Sequence, residues 1–362
     1  MKKKIAVLTL ALLGASIFVA VLVNTGWREI WALLYQMTFA KFLLFLGVIQ
    51  ISYAIHNWRW QIILRSHGHE VSFWSLWIYR ASGYGVSYLT PTPVGGEPVR
   101  IYFLTENHGI SLRESTASVF LDKLIELSCF ALFVASGVFI ASLNNLLPDN
   151  SGLIILVTMS VFIGFFAYVF KKLLDNSGFM TSLFKVLGFK KIKRFEALEE
   201  RIYRTEKLMM DFLSHTDHKK TTVPFVIFLS FLGWSATILE YYFIGNFLGF
   251  NFSNYESFLI ATVPSLAYLL PIPGGFGVLE GLGAGMFVLL GYSASAAIAV
   301  MVMVRLKELF FSAVGFLYSV SHGVKLVGKG SVTKQVLVES SKLKPSSIEK
   351  KSLEEAKEHV IA

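Results

Sequence analysis

Ionisable residues stand in this 362-residue chain where it is otherwise apolar. Glu97 and Arg100 are three residues apart. Asp122, Lys123 and Glu126 share one long apolar run, with Asp122 and Glu126 on one helical face. Ser111 to Asp122 is eleven residues, about 16 Å along a helix and well past a headgroup layer. Glu240 comes late in another run, Glu280 lies in a glycine-rich one, and Arg305, Lys307 and Glu308 interrupt the last. A charge at the centre of a bilayer costs at least about 2.5–3.5 kcal/mol. So many of them together predict a shared polar cavity. The competing reading is internal pairing of Glu97 with Arg100, Lys123 with Glu126, and Arg305 with Glu308. Three cations, Arg100, Lys123 and Arg305, suit a phosphate, and arginine adds a planar fork for it. The carboxylates Glu97, Asp122 and Glu280 would organise those cations or meet a cationic group.

Other chemistries have less behind them. No phosphate-binding loop, nucleophile elbow or zinc-protease motif occurs. His67-Gly-His69 and His215-x-x-His218 sit in hydrophilic loops without supporting acids or cysteines, so neither a metal site nor a cofactor is expected. The single cysteine, Cys129, lies in an apolar run and builds no disulfide framework. The net charge of +9 gathers in residues 171–220 and 325–357, which read as cytoplasmic segments rather than a nucleic-acid surface.

Two stretches suggest how such charges are held. Leu89 to Leu104 reads LTPTPVGGEPVRIYFL, and Leu269 to Gly285 reads LLPIPGGFGVLEGLGAG. Each runs Pro-x-Pro, Gly-Gly, glutamate. Pro91, Pro93, Pro271 and Pro273 each remove a backbone donor. Gly95, Gly96, Gly274 and Gly275 permit tight turns. Broken helices survive at membrane depth only where protein or water covers them, and paired breaks in two halves point to a central site. The half-helix after each Gly-Gly is expected to offer free N–H groups to an anion. The plainer reading is two kinked helices that pack closely.

The elements that carry these residues are membrane helices. The chain is 54% hydrophobic and 16% charged, with a mean hydropathy of +0.59. Several windows reach the roughly 18 apolar residues that cross a bilayer. The fold class is an all-α integral membrane protein. Spans are expected near the N-terminus and over about 42–64, 111–143, 153–170, 223–247 and 293–319. Trp27–Lys41 reads as an interfacial aromatic helix, and Arg59 with Trp60 as an interfacial anchor. Ser111 and Glu114 form a capping box. Residues 171–220 hold twelve Lys and Arg, whereas 144–151 and 249–254 hold none. This places the insert, the tail and both termini in the cytoplasm of a plasma-membrane protein. About six full spans result, plus two re-entrant hairpins of opposite orientation, an arrangement open to an inverted repeat. The first half runs 1–170, an amphipathic insert 171–220, the second half 221–322 and a charged tail 323–362. Phe195, Leu198, Ile202, Met209 and Phe212 put a surface helix in the insert.

These residues resemble the flippase-like transmembrane domain of lysylphosphatidylglycerol synthases, which also occurs as stand-alone membrane proteins. The family's Pro…Gly-Glu-x-x-Arg segment is matched by Pro93, Gly96, Glu97 and Arg100. Its Pro-Gly-Gly-x-Gly-x-x-Glu segment is matched by Pro273, Gly274, Gly275, Gly277 and Glu280. Arg59-Trp60 and Arg305 match two further positions. Asp122, Lys123 and Glu126 depart from a pattern of glutamate, arginine and later aspartate. The resemblance covers about residues 5–322 and implies a lipid translocase whose path is lined by the two breaks. Its substrate would be an aminoacylated phospholipid or a polyprenyl-phosphate carrier, with Glu97, Arg100, Asp122, Lys123, Glu126, Glu280 and Arg305 as binding residues. No lysyl-transferring domain follows, so synthesis of the lysyl-lipid is not expected. The rivals are an enzyme that modifies headgroups and a non-catalytic partner of a separately encoded glycosyltransferase or synthase. A homodimer is compatible with each.

Overall fold

The computed structural model describes residues 27–88, 94–147, 151–175, 179, 203–211, 219–270 and 272–322. Its regular elements are all helical: α1 Trp27–Tyr35, α2 Phe39–Ser66, α3 Phe73–Tyr88, α4 Glu97–His108, α5 Leu112–Leu143 and α6 Ser151–Leu174. A helix over 203–211 (α7) follows, then α8 Lys219–Phe247, α9 Asn254–Thr262, α10 Val278–Leu289 and α11 Ala294–Ser321. Short 3₁₀ turns at Pro264–Leu269 and Pro273–Gly275 join α9 to α10. The expected first span, the charged tail, Pro91, Pro93 and Pro271 lie outside the described residues, as do Phe195, Leu198, Ile202 and Phe212.

Among the described residues four helical stretches are long and apolar enough to cross a membrane: Phe39–Ser66, Leu112–Leu143, Ile155–Leu173 and Thr222–Phe247. At 28 residues α11 is also long enough, but Arg305, Lys307 and Glu308 interrupt it. Local sequence sets the starts. Ser111 Oγ accepts the Glu114 N–H at 3.2 Å, and Ser293 Oγ accepts the Ala296 N–H at 3.2 Å. Ser253 and Glu256 cap α9 reciprocally. At the other pole, the Lys41 ammonium donates to the Phe247 carbonyl, 2.8 Å away, at the C-terminus of α8.

The segments around the breaks form two hairpins whose legs are too short to span. With 16 and 12 residues, α3 and α4 reach about 24 and 18 Å. They run antiparallel, so Tyr79 stacks on Phe103 at 5.0 Å and Gly83 faces Gly96. The second hairpin pairs α9 and its 3₁₀ extension with the 12-residue α10.

Helix α11 is the spine for both. Its C-terminal half carries the first hairpin: a Cβ on Gly315 would lie 1.9 Å from the Ala81 carbonyl oxygen, and one on Gly85 2.7 Å from that of Ser312. Small residues permit this backbone-to-backbone approach, which drives helix association in lipid. The N-terminal half carries the second hairpin, where a Cβ on Gly283 would touch Met301. The two tips meet between these halves. The Tyr88 and Phe276 rings are 5.4 Å apart, and the Arg305 guanidinium lies over Phe276 at 4.5 Å.

Helix α7 turns one face toward the bundle and leaves Tyr203 exposed. Glu206, Met209 and Met210 are buried, and the two methionines pack with Ile63, Leu121, Ile125 and Val169.

Candidate functional site

Most of the buried charges among the described residues gather in two networks, one behind each hairpin tip. Asp122 on α5 is the hub of the first. Its Oδ1 accepts from Arg59 Nε and Nη2 at 2.8 and 2.7 Å. Its Oδ2 accepts from Arg80 Nη2 at 2.8 Å and Arg100 Nη2 at 2.7 Å. Three arginines from α2, α3 and α4 thus share one fully buried carboxylate. Glu97 pairs with Arg100 at 2.7 Å and reaches Lys123 at 3.5 Å. Glu126 binds Lys123 at 2.8 Å, Arg59 at 3.2 Å and Arg80 at 3.3 Å. The Arg100 guanidinium also lies 3.9 Å over the Trp60 ring. Four cations, Arg59, Arg80, Arg100 and Lys123, face three carboxylates, so the network carries an excess of one positive charge. Its most open members are Glu126 and Lys123, with side chains 20% and 16% exposed. The Nε atoms of Arg80 and Arg100 are buried without a hydrogen-bond partner.

Arg305 is the hub of the second. It donates from Nε to Glu280 and from Nη1 to Glu308, both at 2.6 Å, and from Nη1 to the Gly274 carbonyl at 2.7 Å. Glu280 spends its other oxygen on the Gly277 N–H at 2.8 Å. The Tyr268 hydroxyl donates to Glu308 at 2.6 Å. On the next faces, Lys307 pairs with Glu240 of α8 at 2.7 Å. Two cations here face three carboxylates, leaving one excess negative charge.

Among the described residues the carboxylates of both networks pair with cations of their own network. Partner charges of this kind offset the cost of burying ions in a low dielectric. The three local pairs Glu97–Arg100, Lys123–Glu126 and Arg305–Glu308 all form. Several N–H groups after the breaks have partners within the protein. Gly96 N donates to Ser87 Oγ, Glu97 N to the Val94 carbonyl and Val99 N to that of Gly96, while Glu280 itself caps α10.

Arg59 and Trp60 are not interfacial anchors: both are wholly buried, Arg59 as a partner of Asp122. Arg80, Tyr268 and the Gly274 carbonyl are partners that no motif or spacing marks. Arg80 could have been found as one more charge in an aromatic, uncharged stretch. Among the described residues no group of His, Cys, Asp and Glu is placed to hold a metal ion.

Residues 5–315, which include both hairpins and both networks, match the family described as the lysylphosphatidylglycerol synthase TM region. The chain belongs to that family. It is also similar to proteins described only as UPF0104 membrane proteins. One, from Methanothermobacter thermautotrophicus, is 27% identical over 261 residues, 69% of this chain and 74% of the relative. Another, from Pyrococcus horikoshii, is 26% identical over 271 residues, 71% of this chain and 79% of the relative. In this member of the lysylphosphatidylglycerol synthase TM-region family, the two glycine-rich segments are therefore parts of one multi-pass helical membrane protein, and they meet at Arg305.

Proposed function

We propose that the protein moves the polar or anionic headgroup of a membrane lipid between leaflets. The observation that carries this reading is the meeting of two short, broken hairpins at the middle of α11, each backed by a buried ionic network. Charges are kept at membrane depth at high cost, and they mark pathways for polar cargo. In this reading α2, α5, α6, α8 and α11 span the bilayer with a first span before residue 27. The hairpins α3–α4 and α9–α10 enter from opposite sides, with the insert and the tail cytoplasmic.

The structure is then an occluded state, in which the carboxylates hold the place of the cargo. A headgroup phosphate would take over Arg100, Lys123 and the unfilled Nε donors of Arg80 and Arg100 from Glu97 and Glu126. A cationic headgroup, or the cation of an aminoacylated lipid, would meet Glu280 and Glu308. Motion of the tips past Tyr88 and Phe276 would open one network at a time. No enzyme chemistry is assigned, because every carboxylate in the networks is committed to a cation or an N–H.

Reconstitution tests this. Liposomes with fluorescent phospholipid in both leaflets are treated outside with dithionite, and loss of the protected inner signal beyond that of protein-free vesicles is expected. Arg100→Ala and Glu280→Gln should abolish the excess loss while still inserting. Wild-type loss in both variants would overturn the assignment of these residues. No excess loss from the wild type would count against phospholipid as the cargo.

A further inference from the structure

The two ionic networks stand one helical turn apart on α3. Arg80 belongs to the first, through Asp122 and Glu126. Tyr84, four residues on and about 6 Å along the axis, faces Glu308 of the second. Tyr88, one turn further, faces Arg305, Glu308 and Glu280. The three side chains form one strip, because residues four apart share a helix face. Helix α3 packs along α11, so the strip leads from one network to the other. Tyr84 is its open point, 36% exposed.

Charge is polarised along this strip. The first network has one excess positive charge and the second one excess negative charge. Across both, six cations meet six carboxylates. Cargo with a net charge would upset that balance at a depth where an uncompensated ion is costly. A headgroup with one negative and one positive group would not. The polar atoms still open match the two signs. At the first network the Nε atoms of Arg80 and Arg100 are buried donors without a partner. At the second the Tyr88 hydroxyl is buried and completes no hydrogen bond. Glu308 accepts one bond on each oxygen, from Tyr268 and Arg305, and a carboxylate can take about four. The plainer reading is that a small rotation pairs the Tyr88 hydroxyl with the equally unpartnered Arg305 Nη2. That pairing would leave the opposite charges of the two ends without a role.

We propose that the cargo headgroup is a compact zwitterion, a phosphate and a primary ammonium two carbons apart as in an ethanolamine phospholipid, which engages both networks at once. This rests on the translocase reading above. The headgroup lies along the Arg80–Tyr84–Tyr88 strip. Its phosphate takes the Arg80 and Arg100 donors, and its ammonium donates to Glu308 and the Tyr88 hydroxyl. Two carbons set the charges about one helical turn apart, the spacing of the networks on α3. A headgroup with a phosphate alone fills one end only.

The test is binding of dioctanoyl lipids to the detergent-solubilised full chain, read by native mass spectrometry. Dioctanoyl phosphatidylethanolamine should bind at least about tenfold more tightly than its N-acetyl derivative, which keeps the phosphate and loses the ammonium. Tenfold is about the worth of one charge-assisted hydrogen bond. Dioctanoyl phosphatidylglycerol should bind like the N-acetyl lipid. Glu308→Gln should erase the preference. Tyr88→Phe should reduce it, and because it leaves every ion pair in place it guards against a folding defect in the glutamine variant. Equal binding of the ethanolamine lipid and its N-acetyl form, binding of neither, or an undiminished preference in either variant would overturn the assignment. Acyl-labelled forms of the same lipids in the dithionite assay read movement separately. A binding preference without movement would strike the translocase reading for these lipids and leave the headgroup assignment standing. Movement of both lipids at one rate, with no binding preference, would do the reverse.

Discussion

At the first break glycine is needed for space, and at the second for handedness. Gly96 has φ −94°, an ordinary value, but a Cβ there would sit 1.7 Å from the Gly83 carbonyl oxygen. The close approach of α3 and α4 is what brings Arg80 and Arg100 to the same carboxylate. Gly274, Gly275 and Gly277 have φ of 57°, 61° and 79°, in the left-handed region. That backbone turns the Gly274 carbonyl toward Arg305 and the Gly277 N–H toward Glu280. The same two-letter motif thus supports packing between helices in one hairpin and a backbone ligand set in the other. The networks differ accordingly. The first is built from side chains of α2, α3, α4 and α5 around an acid and is positive. The second is built around an arginine, partly from backbone, and is negative.

Substitutions can break this contrast. Asp122→Asn should have the largest effect, because three buried arginines lose their common counter-charge. Removing one partner of a buried ion pair costs about 3–5 kcal/mol. A detergent-solubilised variant should show a marked fall in Tm, or fail to yield a monodisperse protein. Retention of the wild-type Tm would refute the hub role of Asp122.

Gly96→Ala comes next. The clash is with backbone, which cannot swing aside, so the upper part of the roughly 1–3 kcal/mol range for overpacking is expected. Gly274→Ala should cost less, roughly 1–2 kcal/mol for a left-handed alanine. Its nearest neighbour is the edge of the Phe276 ring, which can move. Thermal unfolding of the two variants side by side checks the order. Equal losses would erase the distinction between space and handedness.

The smallest effect is at the mouth of the second hairpin. Ser253→Ala removes one half of the α9 capping box and should cost about 1 kcal/mol. Burial works against ionisation of Glu256, but the Ser253 N–H and hydroxyl and the Tyr292 hydroxyl outweigh it and hold the carboxyl below its usual range. A depressed carboxylate stabilises the fold above its unfolded pKa and loses that contribution as pH falls through the folded one. The gap in Tm between wild type and Ser253→Ala should therefore narrow in acid. A constant gap from neutral to strongly acidic buffer would refute the link to Glu256.

Much of this protein was legible before any fold was known. Apolar runs, two Gly-Pro breaks and charges inside the runs follow from composition and order alone, because a bilayer constrains segment length and polarity more tightly than water does. The three pairs at i and i+3 were also fixed locally, since helix geometry puts such residues side by side whatever surrounds them. Family membership follows from the same segments.

The contacts between helices were not legible. Which acid three arginines would share, whether Arg59 faced lipid headgroups or the core, and which glycine guarded space rather than handedness all depend on how helices cross. Arg59 and Trp60 look like an interfacial anchor because their chemistry suits one. Only the packing of α2 against α5 and α8 carries them inward. The meeting of the two tips at Arg305 joins residues nearly two hundred positions apart, and no local periodicity encodes it. Sequence set which segments are helical and where charge must be buried. Tertiary packing chose the partners, because the pairing of buried charges depends on distances between helices that the chain settles only when it folds.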